Sequence, residues 1–375
     1  MAPIPASEKA PLGNVLVIGG CGFLGHHLVD LILESYKASV SVLDLYTTRN
    51  RRPDSDGVSY YNGDITDLSS ILPVFEKTKP DVVIHTASPT AVDGAKALFK
   101  KVNVDGTKVV IEACQKSGVK ALVYTSSASI ISDSVNDLIN ADERWPVIPA
   151  SAQSEYYSLT KAEAEAFVLA ANRSPTCPKL LTCAIRPSGI FGPGDVQQTP
   201  GFLNAYYNGQ TGFQLGSNDN LFDFTYVTNI AHAHLLAARA LIYTSTLSHP
   251  LQDLEKVDGE AFLITNDSPV YFWDFARAIW KAAGNERGTE HVWVIGQSLG
   301  MGVATLLKWI SWVTRKPARL TPLQVKYSCM TRYLDIGKAK KRLGYAPLVS
   351  LQDGIELAVK WAIDEKAGEG EKKSQ

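Results

Sequence analysis

Tyr157 and Lys161 stand four residues apart in EYYSLTKAEAEAF. On a helix that spacing puts a phenol and an ammonium on one face. A neighbouring ammonium favours the phenolate and lowers the phenol's pKa. The pair therefore predicts a tyrosine acidic enough to act as a base on an alcohol near neutral pH. Upstream, VYTSSAS (123–129) carries two adjacent serines, either of which could bond the reacting oxygen. Successive strand residues face opposite ways, so only one is expected to enter a pocket. Ser127 is the candidate and Ser126 the alternative.

A Tyr-x-x-x-Lys spacing recurs by chance, and the opening of the chain gives it a context. NVLVIGGCGFLG (14–25) is a short apolar run followed by Gly19, Gly22 and Gly25, and HHLVDLILESY after it has helical spacing. Strand, glycine turn and helix come in the order of a dinucleotide-binding Rossmann unit. Such a turn brings a pyrophosphate to the amides of a helix N-terminus, here Phe23, Leu24 and Gly25 beside the first glycines. The second strand, SVSVLDL, ends on Asp44. A carboxylate there accepts from both ribose hydroxyls and repels a 2′-phosphate, which favours NAD. Arg49, Arg51 and Arg52 follow closely, so NADP stays open.

Other positions extend this candidate cofactor site. In GDITD, Asp64 and Ile65 suit the edge and face of an adenine, while Thr66 or Asp67 reads equally as a helix N-cap. In VVIHTASPT, the small residues Thr86, Ala87 and Ser88 would let a ribose and diphosphate lie against a strand end; plain turn chemistry is the alternative. Pro187 and Gly189 in RPSGIFGPGD place a turn where its backbone could bond a nicotinamide carboxamide, or form an ordinary Pro/Gly loop. Asn103 falls inside a helical pattern, where asparagine is unfavourable, and is expected to bond a backbone carbonyl or a water. His26 and His27 read as packing or solvent-facing residues. His232 and His234 are two apart on a helix and share no face, so no metal site is expected.

The elements that must position these groups alternate through the first half. Strands are expected at 14–19, 38–44, 58–62, 81–86, 119–125 and 179–186, and helices at 22–36, 66–78, 98–117 and 154–173. That alternation predicts an α/β fold, a Rossmann-type doubly wound parallel sheet. After Pro187 the pattern loosens, with helices expected at 229–243, 271–284, 335–343 and 352–364 and a strand at 260–264. Residues 14–187 are read as the NAD-binding domain, its sheet completed by later segments. Residues 188–366 are read as a smaller C-terminal substrate lobe over the sheet's carboxyl edge, where ligands bind in such folds. Residues 1–13 and 367–375 have the composition of disordered ends.

Bulk properties narrow the class. With 375 residues, 45% hydrophobic and 20% charged, the chain has room for a large core or two lobes. A net charge of −1 gives no basic excess for nucleic acid. Five scattered cysteines without C-x-x-C fit a reducing compartment, and the N-terminus lacks the apolar core of a secretory signal. Residues 292–314, VWVIGQSLGMGVATLLKWISWVT, are the most apolar stretch. Gln297, Ser298 and Lys308 interrupt it, which argues against a transmembrane span. Its helical apolar face, Trp309 and Trp312, and the following Arg315, Lys316 and Arg319 describe a helix lying in a membrane interface; a core or pocket-lid helix is the other reading.

Taken together, the glycine motif, Asp44, VYTSSAS, Tyr157-x-x-x-Lys161 and RPSGIFGPGD make the chain resemble the extended short-chain dehydrogenases, and within them the 3β-hydroxysteroid dehydrogenase group. NLFDFTYVTNIAHAHLLAA (220–238) looks like that group's second-lobe signature. Sugar-nucleotide epimerases of the same superfamily carry Arg-Asp here, whereas this chain has Phe222 before Asp223, which points to an apolar substrate. The resemblance implies Tyr157 as base, Lys161 holding the nicotinamide ribose, Ser127 orienting the alcohol, and NAD as cofactor. HTASP, ADERWPVIP, LFDFTYV and FLITNDSPVYFW further resemble members that oxidise the 3β-hydroxyl of 4α-carboxysterols and release the C4 carboxyl as CO2 in ergosterol synthesis. It also implies peripheral attachment to the cytosolic side of the endoplasmic reticulum membrane, with the cytoplasm as alternative, and a homodimer or a complex of sterol enzymes. Other readings stay open: a dehydrogenase of another polycyclic alcohol, such as a triterpenoid or meroterpenoid, a 3β-hydroxysteroid dehydrogenase/isomerase, a sugar-nucleotide epimerase, or an NAD(P)-sensing regulator without catalysis.

Overall fold

The computed structural model describes residues 9–89, 96–249, 251–315 and 320–374. Thr90, Lys316 and Arg319 of the segments discussed above lie outside them. The first half runs β1 (Ala10–Ile18), α1 (Phe23–Ser35), β2 (Tyr36–Asp44), β3 (Ser59–Asn62), α2 (Leu68–Thr78), β4 (Val82–His85), α3 (Lys96–Phe99), a π-helical stretch Lys100–Gly106, α4 (Thr107–Ser117) and β5 (Ala121–Thr125). Then come β6 (Leu138–Ala141), α5 (Tyr156–Ala170), β7 (Leu181–Pro187) and β8 (Gly189–Phe191). β1 begins at Ala10, ahead of the expected start at 14, and pairs with β2 from its first residue. Part of the stretch read as a disordered end therefore belongs to the sheet.

The main sheet is parallel, in the order β3-β2-β1-β4-β5-β7 and then β12 (Ala261–Ile264). Its inner strands are buried on both faces, as parallel strands under helices must be: Val15 to Ile18, Val82 to Ile84 and Ala121 to Val123 are at most 1% exposed. One apolar layer joins the sheet to α1 and to α7 (Val227–Ser245); the other joins it to α2, α4 and α5. Strand order reverses between β1 and β4, so a crevice opens at their carboxyl ends. There Thr86 N donates to Ile18 O at 2.9 Å.

The remaining elements are α6 (Gln198–Tyr207), β9 (Phe213–Leu215), β10 (Leu221–Phe222), β11 (Phe224–Tyr226), β13 (Val270–Tyr271), α8 (Phe272–Ala282), β14 (Trp293–Ile295), α9 (Gln297–Thr314), α10 (Pro322–Cys329), β15 (Arg332–Leu334), α11 (Gly337–Leu343) and α12 (Leu351–Ser374). A second sheet has the order β13-β10-β15-β6. β6 thus leaves the first half of the chain to complete the second lobe, while β12 and α7 return to the first. An aromatic core carries this lobe, with the Phe224 and Phe275 rings stacked at 3.6 Å. The apolar stretch 292–314 is no core helix: it starts as β14 on β9, and on α9 only Gly300 and Ala304 are buried. No helix among the described residues is long and apolar enough to cross a membrane.

Candidate active site

Positive φ and close backbone approach fix the first turn. Gly19 has φ +81°, and a Cβ there would lie 2.7 Å from Ala87 N. A Cβ at Gly25 would overlap the Gly19 carbonyl. α1 therefore starts tight against β1 and β4, with Gly22 as an N-cap that has no side chain to close its amides. Asp44 ends β2 beside this turn, and its Oδ2 accepts from Cys21 N at 3.0 Å. Thr86 closes the other side, donating its hydroxyl to Ile18 O at 2.9 Å. A side-chain-free cradle at a helix N-terminus with a carboxylate beside it fits a dinucleotide: pyrophosphate on the amides of Phe23, Leu24 and Gly25, and ribose hydroxyls on Asp44. Pro187 ends β7 and Gly189 opens β8 on the same sheet edge.

Three of the expected cofactor residues make contacts within the protein. Ile65 is buried in the sheet's apolar layer, where a Cβ at Gly106 would meet its Cδ1 at 2.8 Å, so its face is packed against protein. Asp64 Oδ1 accepts from Thr66 N and Oγ1 at 2.9 and 2.8 Å, and these bonds hold its carboxyl below the ordinary range. The N-cap of α2 is Asp67. Ser88 turns its hydroxyl to Pro89 O at 3.1 Å.

The reactive groups meet at the end of β5. The buried face of α5 carries Ser158, Thr160, Lys161, Ala164, Glu165 and Val168. Tyr157 stands at its rim, half-buried, with Ser127 close enough to act on its phenol as a hydrogen-bond partner. Ser126 points elsewhere: it is 1% exposed and its hydroxyl has no partner. Ser127 Oγ is held by Ser129 Oγ at 2.8 Å, which in turn accepts from Ser158 Oγ at 2.8 Å. This serine chain ties the end of β5 to α5 beside the tyrosine.

Lys161 corrects one expectation. Its Nζ donates to Thr125 O at 2.8 Å, and the Tyr157 phenol is raised to about 12 because burial disfavours the phenolate more than Ser127 favours it. The protein alone does not make this tyrosine acidic. Burial also brings Lys161 down to about 7, opposed by Glu165 one turn on. Thr125 is itself fixed by His234, whose Nε2 lies 2.7 Å from its Oγ1 and whose Nδ1 lies 2.8 Å from Ile230 O. Burial keeps His234 neutral, near 4. Asn103, in the π-helical stretch, donates to Thr160 Oγ1 at 3.1 Å, a side chain of α5. His27 binds Pro193 O at 2.8 Å, joining α1 to the loop after β8. No cluster that could hold a metal exists among the described residues.

Sequence reasoning missed four supporting groups. Thr125 and His234 are 109 positions apart in the chain, and no local pattern links them. Glu165, paired with Arg186 at 2.5 Å, was legible as a fourth polar residue on the Tyr157–Lys161 face.

The model of the 3-beta hydroxysteroid dehydrogenase/isomerase family matches residues 16–294. The chain is 42% identical over 357 residues to the decarboxylating sterol-4-alpha-carboxylate 3-dehydrogenase of Schizosaccharomyces pombe, covering 95% of this chain and 99% of that one. Its counterpart in Saccharomyces cerevisiae is 40% identical over 93% of this chain and 98% of that one, and the human one 38% over 92% and 86%. Among solved structures, the UDP-glucose 4-epimerase of Thermotoga maritima superposes with a TM-score of 0.69 at 23% identity, covering 94% of this chain and 99% of that one, a likeness of fold. The chain belongs to the 3-beta hydroxysteroid dehydrogenase/isomerase family.

Proposed function

We propose that this protein oxidises the 3β-hydroxyl of a 4α-carboxysterol to the 3-ketone with NAD, the C4 carboxyl leaving as CO2, as a step of ergosterol synthesis. The observation that carries the chemistry is Ser127, at the end of β5, acting on the Tyr157 phenol, with Lys161 one helical turn on and bonded to Thr125 O of the same strand end. The substrate is that named for the fungal relatives. Bound on the turn, NAD supplies a hydride acceptor and a positive ring. Ser127 bonds the alcohol oxygen and sets its direction. The Tyr157 phenolate oxygen takes the alcohol proton as the carbon loses hydride. The Lys161 ammonium, one helical turn away, favours that phenolate. The product is a β-keto acid: its C4–carboxyl bond breaks, the electron pair forms the C3–C4 double bond of an enol, the acid proton passes to the C3 oxygen, and CO2 departs.

The test supplies NAD and a 4α-carboxy-3β-hydroxysterol and follows NADH together with product mass. The expected product is a 3-ketone lighter by CO2 and two hydrogens, with one NADH formed per sterol. Turnover of a UDP-sugar instead, oxidation with the carboxyl retained, or binding of NAD with no turnover would point to an epimerase, another polycyclic-alcohol dehydrogenase, or a sensor.

The same reading places the enzyme peripherally on the cytosolic side of the endoplasmic reticulum membrane through α9. Leu299, Leu306, Trp309 and Val313 are exposed along it, Trp312 is 80% exposed, and Trp293 on β14 is 76% exposed beside it. An apolar patch of this kind marks an interaction surface, and its tryptophans suit a lipid interface.

A further inference from the structure

Arg332, on β15, is 5% exposed, yet it has no carboxylate within ion-pair distance among the described residues. Its Nη1 donates to Tyr327 OH at 3.2 Å, and its Nε has no partner. The other deeply buried arginine, Arg186, has a bidentate carboxylate in Glu165. A buried guanidinium without such a partner is expensive, and a ligand anion would offset that cost. Asp223 acts on it through charge, but no hydrogen bond or ion pair joins the two: Asp223 Oδ2 accepts from Leu334 N at 2.8 Å and its Oδ1 has no partner. Burial drives that carboxyl up to about 7 despite the arginine.

The position of Arg332 bears on what kind of anion could pair with it. On one side its carbonyl accepts from Asp223 N at 3.0 Å, and Ser188, between Pro187 and Gly189, donates to Asp223 O at 2.9 Å. That is the turn expected at the nicotinamide. On the other side it holds Tyr327, whose phenol is near enough to raise that of Tyr157. Arg332 is thus tied by its backbone to the turn at the cofactor edge and by its guanidinium to Tyr327, on the side of the base. Phe222 pairs in register with Arg332. In a 3-hydroxy-4-carboxylate, the acid group sits one carbon from the carbinol, so the cation that recognises it must lie beside the base.

We propose that Arg332, held by Tyr327, binds the C4 carboxylate of the substrate and makes the enzyme select carboxylated sterols. Arginine suits the task because its planar fork matches a carboxylate. The inference rests on the substrate class proposed above.

The test compares wild type, Arg332→Met, Arg332→Lys and Tyr327→Phe on two 3β-hydroxysterols that differ only in a 4α-carboxyl. NADH formation gives kcat/KM for each. Arg332→Met is expected to lower the carboxylated-to-plain ratio on the order of 100-fold, chiefly through KM. Arg332→Lys should recover part of it, and Tyr327→Phe should lower it roughly 5-fold. An unchanged ratio in Arg332→Met, or equal losses on both sterols, overturns the proposal. Should that variant not fold, full selectivity in both Arg332→Lys and Tyr327→Phe overturns it. Wild type inactive on both sterols would instead overturn the substrate class itself.

Discussion

At the scale of single residues, the site opposes two burial costs. Tyr157 is pushed up to about 12 and Lys161 down to about 7, so burial favours the neutral form of each. Catalysis needs the opposite pair of states. The positive ring of a bound nicotinamide works in that direction, which makes the base a property of the complex. Tyr157→Phe should lower turnover by about 10²–10⁴-fold while NAD titration by protein fluorescence is retained; turnover within a few-fold of wild type would remove Tyr157 from the reaction. The lysine gives a signature in stability. Its folded pKa lies below the unfolded value of 10.5. Between about 7 and 10.5 the unfolded chain binds the extra proton, so wild type gains stability as pH rises through that window, up to about 1.4 kcal/mol per pH unit. Below 7 the whole burial cost is present. Lys161→Met should therefore raise the melting temperature most at pH 6 and progressively less towards pH 9.5. A difference that stays flat across that range would contradict a buried lysine.

At the scale of elements, α5 is the part that carries chemistry and packing on one face. Its inner stripe includes Lys161 and Glu165 where apolar residues usually stand, which blurs the hydrophobic period that identifies a helix. Arg186 on β7 makes that stripe possible: Nε and Nη2 meet both oxygens of Glu165 at 2.9 and 2.5 Å. Breaking one half leaves a buried charge. Arg186→Met should cost about 3–5 kcal/mol in denaturant unfolding, and adding Glu165→Met should return most of it. A single variant as stable as wild type would mean that the pair does not dock α5 to the sheet. Asn103 belongs to this scale too. The π-helical stretch turns it inwards to Thr160 on α5, in keeping with such bulges at functional sites. The Rossmann strands and helices were readable because their periods are strong. The short strands β6, β8 to β11 and β13 to β15 were not, since two to four residues hold no period.

Across the whole molecule, two cores meet over the crevice and α9 lies outside both. An 18-residue helix with only Gly300 and Ala304 buried gains little from the fold and needs another surface. Trp309→Glu with Trp312→Glu should reduce co-sedimentation with anionic phospholipid vesicles roughly 10-fold, with the melting temperature held within about 2 °C because exposed sites barely affect stability. Unchanged vesicle binding would sink the membrane assignment and leave α9 for a protein partner. The domain boundary read at Pro187 is crossed in both directions, by β6 outwards and by β12 and α7 inwards. Composition along the chain shifts at 187, but pairing partners are chosen in space.

The sequence alone determined the class of chemistry. Three glycines after an apolar strand, an acid at the end of the next, and a serine, tyrosine and lysine at set spacings are local patterns, and each depends on neighbours a few residues away. What only the tertiary structure decided is how those groups are held and charged. Thr125 and His234, and Glu165 and Arg186, come from separate parts of the chain, and burial, not spacing, sets the proton affinity of Tyr157 and Lys161. Desolvation depends on everything packed around a group, so no reading of nearest neighbours along the chain could have supplied it.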